Sequence, residues 1–387
     1  MAGKAAAAAA GIAGGSDLAH MRAACGLAGR GLGNTWPNPA VGCVLVNDGR
    51  VVGRGWTQPG GRPHAETVAL SRAGPLARGA TLYVSLEPCS HQGETPPCAE
   101  ALIAAGVRRV VAAVEDPDPR VCGGGIARLR AAGIAVEIGL CADAAAELNA
   151  GFFSRVQRGR PLVTLKLATT LDGRIALPSG ESRWITGAPA RARAHLLRLR
   201  HDAVMVGIGT VLVDDPQLTC RLNGLGARAP VRIVVDRRLR IPPTARLLAG
   251  GGAAPVWLLA ASSTDPIRRR AIEAGGATVI AVAEVEDRLD LAAALLALGA
   301  RGITRLLVEG GSRLAAGLLE ARLVDRLAWF HAPVLIGGDG IAAIGTLGIA
   351  GLAEAPEFER AATETVGADL LTTFRIRNAP GPAGSCR

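Results

Sequence analysis

The feature that most constrains this chain is a divided set of metal-ligating residues: His64-Ala65-Glu66, then Pro88-Cys89, then Cys98. One imidazole and two thiolates hold a zinc ion and leave a fourth position for water. The fold must therefore bring together donors from two segments about one supersecondary unit apart. His64 and Glu66 are two positions apart, about 200° around an ideal helix. They meet at one metal only if His64 stands at an irregular helix entrance, and Gly60-Gly61-Arg62-Pro63 just before it predicts that entrance. Pro88-Cys89 suits a chain turn. Cys98 is expected on the first turn of the next helix, where the partial positive charge of a helix N-terminus favours thiolate over thiol.

Glu66 is the carboxylate that moves protons beside such a metal. It takes the proton of an activated water and passes it to a ring nitrogen and a leaving amine, which is hydrolytic deamination. Two other readings of the same residues stand. One is a structural zinc with His91, between the two cysteines, as fourth ligand. The other is a pair of plain buried thiols with His64 at the surface.

At 387 residues, with 49% hydrophobic residues, the chain has material for two cores. Aromatics make up only 3%, too few for a base-stacking platform. The net charge of +10 comes almost wholly from arginine, since Lys4 and Lys166 are the only lysines. The arginines are dispersed, which argues against a nucleic-acid stripe and suits an anionic small substrate. The eight cysteines are scattered, unlike a dense disulfide framework, so a reducing cytoplasm is the expected setting. No apolar run reaches membrane-span length. Residues 1–16 and 379–387 read as flexible tails.

Two α/β patterns share the chain. In the first, Asp17 is the expected N-cap of an opening helix. Strands are expected at 41–46 and 51–56 around an Asp48-Gly49 turn, then at 81–86, 107–114 and 134–138, with helices from His64, Cys98 and Ile126 between them. The first domain is placed at 17–153 and the junction in the polar, basic stretch 154–161. The second domain, 161–378, is read with strands at 162–168, 203–207, 231–235, 255–260, 277–282 and 304–308, and a late pair near 326–336. Helices are expected at 189–200 and 313–320.

The first half carries a resemblance. Asn38-Pro39-Ala40-Val41-Gly42, His64-Ala65-Glu66, Ser85-Leu86-Glu87-Pro88-Cys89-Ser90-His91, Thr95-Pro96-Pro97-Cys98 and Glu115-Asp116-Pro117-Asp118-Pro119 are similar to the deaminase half of the bifunctional riboflavin-biosynthesis deaminase–reductases. Eight residues separate Cys89 from Cys98, where cytidine- and tRNA-type deaminases have two. The resemblance implies a cytidine-deaminase-like α/β/α domain acting on a diaminopyrimidinone with a phosphoribosylamino group. It implies zinc on His64, Cys89 and Cys98, Glu66 as the catalytic residue, Asn38 at the pyrimidine, and His91 and Asp116 near the ribose phosphate. Two positions depart from the family. Glu94 replaces a basic residue, so a dispersed arginine such as Arg62 or Arg120 must supply positive charge, or Glu94 points to solvent. Thr57 stands where a histidine is common.

The second half lacks a G-x-G-x-x-G fingerprint after its first strand. It has two glycine-rich strand–loop–helix junctions, Val206-Gly207-Ile208-Gly209-Thr210-Val211 and Leu307-Val308-Glu309-Gly310-Gly311-Ser312. Backbone N–H groups at such turns cradle phosphates, though Gly-Gly is also a common tight turn. Lys166-Leu167-Ala168-Thr169-Thr170-Leu171-Asp172-Gly173-Arg174, Trp184-Ile185-Thr186 and Asp214-Asp215-Pro216-Gln217-Leu218-Thr219 resemble the reductase half of the same family. So do Val235-Asp236 and Val308-Glu309-Gly310-Gly311. The resemblance implies a dihydrofolate-reductase-like α/β domain. NADPH is expected against Ala168, Trp184, Thr210, Asp214 and Gly311, and substrate against Ser182, Arg198, Leu218, Arg221 and Glu309. Arg237 and Arg238 are candidates for the 2′-phosphate of NADPH, and Lys166 and Asp172 for proton donation. The expected partners are a small phosphorylated pyrimidine and, through the reductase half, further copies in a dimer or tetramer, with no nucleic acid and no membrane. The alternative function is a nucleobase or nucleotide zinc deaminase with an accessory nucleic-acid-binding or regulatory domain. It predicts basic and aromatic residues clustered near the zinc site.

Overall fold

The computed structural model describes residues 14–93, 96–225, 229–249 and 254–377. The tails expected at 1–16 and 379–387 fall outside these residues, apart from 14–16, and so do Glu94 and Thr95. The chain forms two compact units that divide between Arg158 and Gly159.

The first unit runs α1 (Gly14–Ala28), β1 (Gly42–Asn47), β2 (Arg50–Trp56), α2 (Ala65–Ala73), β3 (Thr81–Val84), α3 (Cys98–Ala104), β4 (Arg109–Ala112), α4 (Gly124–Ala131), β5 (Ala135–Ile138) and α5 (Ala142–Arg158). Its sheet has the order β2-β1-β3-β4-β5, with β1 antiparallel to both neighbours and β3, β4 and β5 parallel. Successive side chains of a strand point to opposite faces, and both faces of β1 are covered. Cys43 and Leu45 pack with Ala65, Ala69 and Leu102 of α2 and α3. Val44 and Val46 pack with Met21, Ala24 and Ala145 of α1 and α5. The result is a three-layer α/β/α arrangement.

Two boundaries differ from the sequence expectation. The opening helix begins at Gly14, so Asp17 lies in its first turn and is not its N-cap. Asp17 instead accepts hydrogen bonds from the Tyr83 hydroxyl and from Arg109 Nη2, the latter at 2.7 Å. The stretch 154–161 is not all linker. Helix α5 continues to Arg158, beyond the expected end at 153, because Phe152, Phe153 and Ser154 are buried on its inner face.

The second unit runs β6 (Leu162–Thr169), β7 (Arg174–Ala176), α6 (Ala188–Leu199), β8 (Ala203–Gly207), α7 (Ile208–Asp214), β9 (Val231–Val235), α8 (Arg246–Ala249), β10 (Val256–Ala261), α9 (Pro266–Ala274) and β11 (Thr278–Val282). It continues with β12 (Glu284–Val285), β13 (Arg288–Leu289), α10 (Leu291–Ala300), β14 (Arg305–Val308), α11 (Ser312–Glu320), β15 (Arg326–His331), β16 (Ile341–Ala342), β17 (Phe358–Val366) and β18 (Asp369–Ile376). The main sheet has the order β11-β10-β9-β8-β14-β6-β15-β18-β17. From β11 to β15 all neighbours are parallel, and the β17–β18 hairpin closes one edge antiparallel. The late strand pair expected near 326–336 is a single strand, β15, whose antiparallel partner is β18. Because β8 and β14 are adjacent and parallel, both glycine-rich junctions emerge at the same end of the sheet. Ligands of open α/β sheets bind outside these carboxyl ends.

Candidate active sites

His64 is the N-cap of α2, with extended backbone (φ −67°, ψ 160°). This is the irregular entrance that the His64–Glu66 spacing requires. Cys98 opens α3, and Cys89 lies on the turn after β3. His64, Cys89 and Cys98 present donor atoms all within 4.8 Å of one another. His64 Nδ1 is 3.3 Å from Cys98 Sγ and 3.7 Å from Cys89 Sγ, and the Cys98 amide donates to Cys89 Sγ at 3.3 Å. His91 is not in the cluster, so among the described residues the donor set stays at three.

The electrostatics suit a cation. Hydrogen bonds from Cys98 and then His64 hold the Cys89 thiol down at about 4. A thiolate is the ligand form. Glu66 is buried, and its Oε2 has no hydrogen-bond partner among the described residues. Burial pushes the Glu66 carboxyl up to about 7, with His64 pulling it down and Cys89 pushing it up. Glu66 thus lies in electrostatic reach of the donors, with one oxygen left to serve water or substrate. One imidazole, two sulfurs and an orphaned carboxylate oxygen fit a zinc ion with a proton-transfer group beside it.

The other residues expected at this site stand on separate turns. Asn38 lies half-buried on the turn before β1, its side chain against Gly61, three residues before His64. His91 Nδ1 is buried without a partner among the described residues. Asp116 is buried after β4 and accepts from the Asp118 amide at 2.9 Å; burial pushes its carboxyl up to about 7. Arg120 is gripped by Asp118, with Nη2 to Oδ2 at 2.5 Å. Arg62 comes close to Gly93, as does His91, so of the two arginines Arg62 is nearer the segment where Glu94 departs from the family. Thr57 is a buried structural residue whose hydroxyl accepts from the Val41 amide at 2.9 Å. The motif that contains Glu87 gives it no role in the sequence reading, although its buried carboxylate accepts from four backbone amides.

In the second unit, register does the assembling. β14 pairs with β6 so that Val308 sits beside Leu165. Continuing that register brings Glu309 next to Lys166. Glu309 Oε2 accepts from Arg198 Nη2 at 2.9 Å, and Arg198 Nη1 donates to the Thr219 carbonyl at 2.8 Å. Burial works against the Glu309 charge, yet Arg198 and Lys166 hold its carboxyl below the usual range. Burial likewise pushes the Lys166 ammonium down. His195, one helical turn from Arg198, joins this group with Nδ1 3.5 Å from Arg198 Nη1. The sequence motifs do not mark His195; its only signal is the i, i+3 spacing to Arg198.

The two glycine junctions meet. A Cβ on Gly310 (φ 140°) would lie 3.4 Å from Thr210 Oγ1, and one on Gly311 4.0 Å from the Gly207 amide nitrogen. Thr210 lies in the first turn of α7 and Gly311 is the N-cap of α11. Ala168 is on β6, and Asp214 ends α7, its carbonyl accepting from Arg183 Nη2 at 3.2 Å. Leu218 is buried with φ 52°. Ser182 is half-buried in the loop before α6, and Arg221 is exposed. Trp184 is not core: it is 65% exposed, with the Arg191 guanidinium 4.4 Å from its ring centre. Two candidates are committed elsewhere. Asp172 accepts from the Thr170 hydroxyl at 2.6 Å and the Gly337 amide at 2.7 Å, and these bonds hold it down at about 2. Arg237 is paired with Glu284 and Asp287.

The fold and donor set define a zinc deaminase unit joined in one chain to a reductase-type α/β unit. Residues 15–114 match the cytidine and deoxycytidylate deaminase zinc-binding region, and residues 161–372 match the RibD C-terminal domain. Riboflavin biosynthesis protein RibD of Escherichia coli is 44% identical over 92% of this chain and 98% of its own length. The Aquifex aeolicus protein of the same name is 40% identical over 93% and 98%. The structure of Acinetobacter baumannii RibD superposes with a TM-score of 0.84 at 38% identity, covering 93% of this chain and 99% of that one. A Thermotoga maritima diaminohydroxyphosphoribosylaminopyrimidine deaminase/5-amino-6-(5-phosphoribosylamino)uracil reductase superposes at 0.81 with 35% identity, covering 93% and 99%. The chain belongs to the RibD family of riboflavin biosynthesis proteins. It is a bifunctional enzyme, with a zinc-dependent deaminase domain and an NADPH-dependent reductase domain. The second unit is therefore a reductase and not a nucleic-acid-binding appendage. Among the described residues no helix is long and apolar enough to cross a membrane.

Proposed function

We propose that the first domain deaminates a 2,5-diamino-6-(phosphoribosylamino)pyrimidinone and that the second reduces the ribosyl group of the product to ribityl. The observation that carries the reading is the convergence of His64, Cys89 and Cys98 within 4.8 Å beside a buried Glu66 with an unpartnered oxygen. When bound, zinc on these three residues supplies the Lewis acidity that makes water a nucleophile near neutral pH. Glu66 takes a proton from that water and delivers it to the ring nitrogen and the departing 2-amino group, which leaves as ammonia. Asn38 orients the pyrimidine, and His91 and Asp116 lie along the ribose phosphate.

In the second domain NADPH, when bound, would supply the hydride that reduces C1′ of the opened ribose. Thr210, Asp214 and Gly311 hold the cofactor at the joined glycine junctions, with Ala168 and Trp184 beside it. Arg198, oriented by Glu309, and Arg221 bind the substrate with Ser182 and Leu218. Lys166, flanked by Glu309 and Arg198, is the better placed of the two proton-donor candidates, because Asp172 is occupied by its own turn. The working domains are 17–153, extended through α5, and 161–378. The setting is the cytoplasm, and the assembly is a dimer or tetramer through the reductase half.

A coupled assay tests the reading. Supplied with the phosphoribosylamino-pyrimidine, the protein releases ammonia and then oxidises NADPH. Ammonia without NADPH oxidation removes the second half of the proposal, and absence of both removes the whole.

A further inference from the structure

Glu87 follows β3, and its amide donates to the Val114 carbonyl at 3.0 Å, which fixes it where β3 and β4 end side by side. Its side chain turns into the loop between β4 and α4. Oε2 accepts from the amides of Asp116 at 3.1 Å and Gly123 at 3.0 Å. Oε1 accepts from the amides of Gly125 at 2.9 Å and Ile126 at 3.1 Å. A carboxylate has about four acceptor positions, and here each oxygen receives two donors. The group is 3% exposed, so these bonds are not traded with water.

The start of α4 lies directly on the segment that carries Cys89. A Cβ on Gly125 would lie 1.9 Å from the Pro88 carbonyl oxygen, and one on Gly124 2.7 Å from Ser90 Oγ. One end of the loop presents Asp116, whose carboxylate holds the Asp118 amide, and Asp118 in turn grips Arg120. Glu87 therefore ties the start of the loop at Asp116, and the N-terminal amides of α4 at its other end, to the segment that leads, two residues later, into a metal ligand.

We infer that Glu87 is a positioning residue for the deamination: it sets Asp116, and the loop Asp116 leads, at a fixed distance from the metal-bearing turn. The inference rests on the reading that Asp116 lies along the substrate. Other acidic or amide side chains do not suit this spot. Aspartate is one methylene too short to reach both oxygens' partners, and glutamine turns an NH₂ group toward two N–H donors.

The test uses the full chain with zinc. Glu87→Gln, Asp116→Ala and the double variant are compared for zinc content, melting temperature, and KM and kcat of ammonia release from the phosphoribosylamino-pyrimidine. Losing two charge-assisted acceptor bonds is expected to raise KM at least about tenfold while zinc content holds and kcat stays within about threefold. The double variant is expected to match Asp116→Ala in KM, since the effect runs through Asp116. A lowered melting temperature with unchanged KM overturns the inference, as does a double variant whose KM multiplies the two single effects. If Asp116→Ala alone leaves KM unchanged, the reading of Asp116 falls, and this inference falls with it. Glu87→Asp is the second variant should Glu87→Gln not accumulate. If both lose zinc, Glu87 is a determinant of the metal site and the positioning role is wrong.

Discussion

Glu66 is set by a short piece of backbone geometry. Because His64 caps α2 in an extended conformation, residues two apart in sequence serve one centre. Replacing Glu66 by Gln keeps the shape and removes the carboxylate proposed to carry the proton. Ammonia release is expected to fall about 10²–10⁴-fold with zinc content unchanged by metal analysis. Full activity would revive the structural-zinc reading. A second residue-scale prediction concerns His201, which is buried in the reductase unit. Nδ1 lies 2.7 Å from the Leu197 carbonyl and Nε2 3.0 Å from Thr164 Oγ1. Burial, with Arg305 and Arg200 nearby, pushes the imidazole down from 6.5 to about 4, against the upward pull of its bond to the Leu197 carbonyl and a smaller one from Glu309. The unfolded chain therefore takes up this proton first. The contribution is complete above pH 6.5 and is lost as pH falls towards 4. It amounts to about 3 kcal/mol across that window. The melting temperature of the reductase transition should decline over this range, and His201→Asn should flatten the decline.

At the scale of elements, α2 is pressed onto β2 by an absence of side chains. A Cβ on Gly55 would lie 1.9 Å from the Ala65 carbonyl oxygen, and one on Gly53 2.4 Å from that of Ala69. Gly55→Ala should push away the helix start that carries His64 and Glu66, destabilising the unit by about 1–3 kcal/mol and weakening zinc retention, both read by thermal melts with metal analysis. Much of this level is legible in the sequence. Val41–Val46 and Thr81–Leu86 announce themselves as apolar β-branched runs, and the Gly-Gly-Arg-Pro stretch foretells the cap at His64. What escapes has a common cause. β17, FERAATETV, is exposed along nearly its whole length at the sheet edge, so no apolar alternation marks it. The end of α5 is hidden because Ser154–Arg158 is polar in composition while its buried anchors, Phe152 and Phe153, come just before. At the second site the residue types are readable but the Lys166–Glu309 adjacency is not, because it depends on parallel register between strands far apart in sequence.

Across the whole molecule, each unit has its own core and its own chemistry. Chelation of zinc should therefore stop ammonia release and leave NADPH oxidation intact when the deaminated intermediate is supplied directly. Loss of both activities on chelation would show that the metal supports more than the first unit. The last helix of that unit has one more consequence. Asn149 Oδ1 receives the Ala40 amide at 3.0 Å, two residues past Asn38, and Ala145, Phe152 and Phe153 complete the interior. The recognisable zinc-binding stretch stops at residue 114. A fragment trimmed to it would carry every metal donor yet miss the hook that steadies the turn bearing Asn38. Anyone excising a minimal deaminase should cut after Arg158.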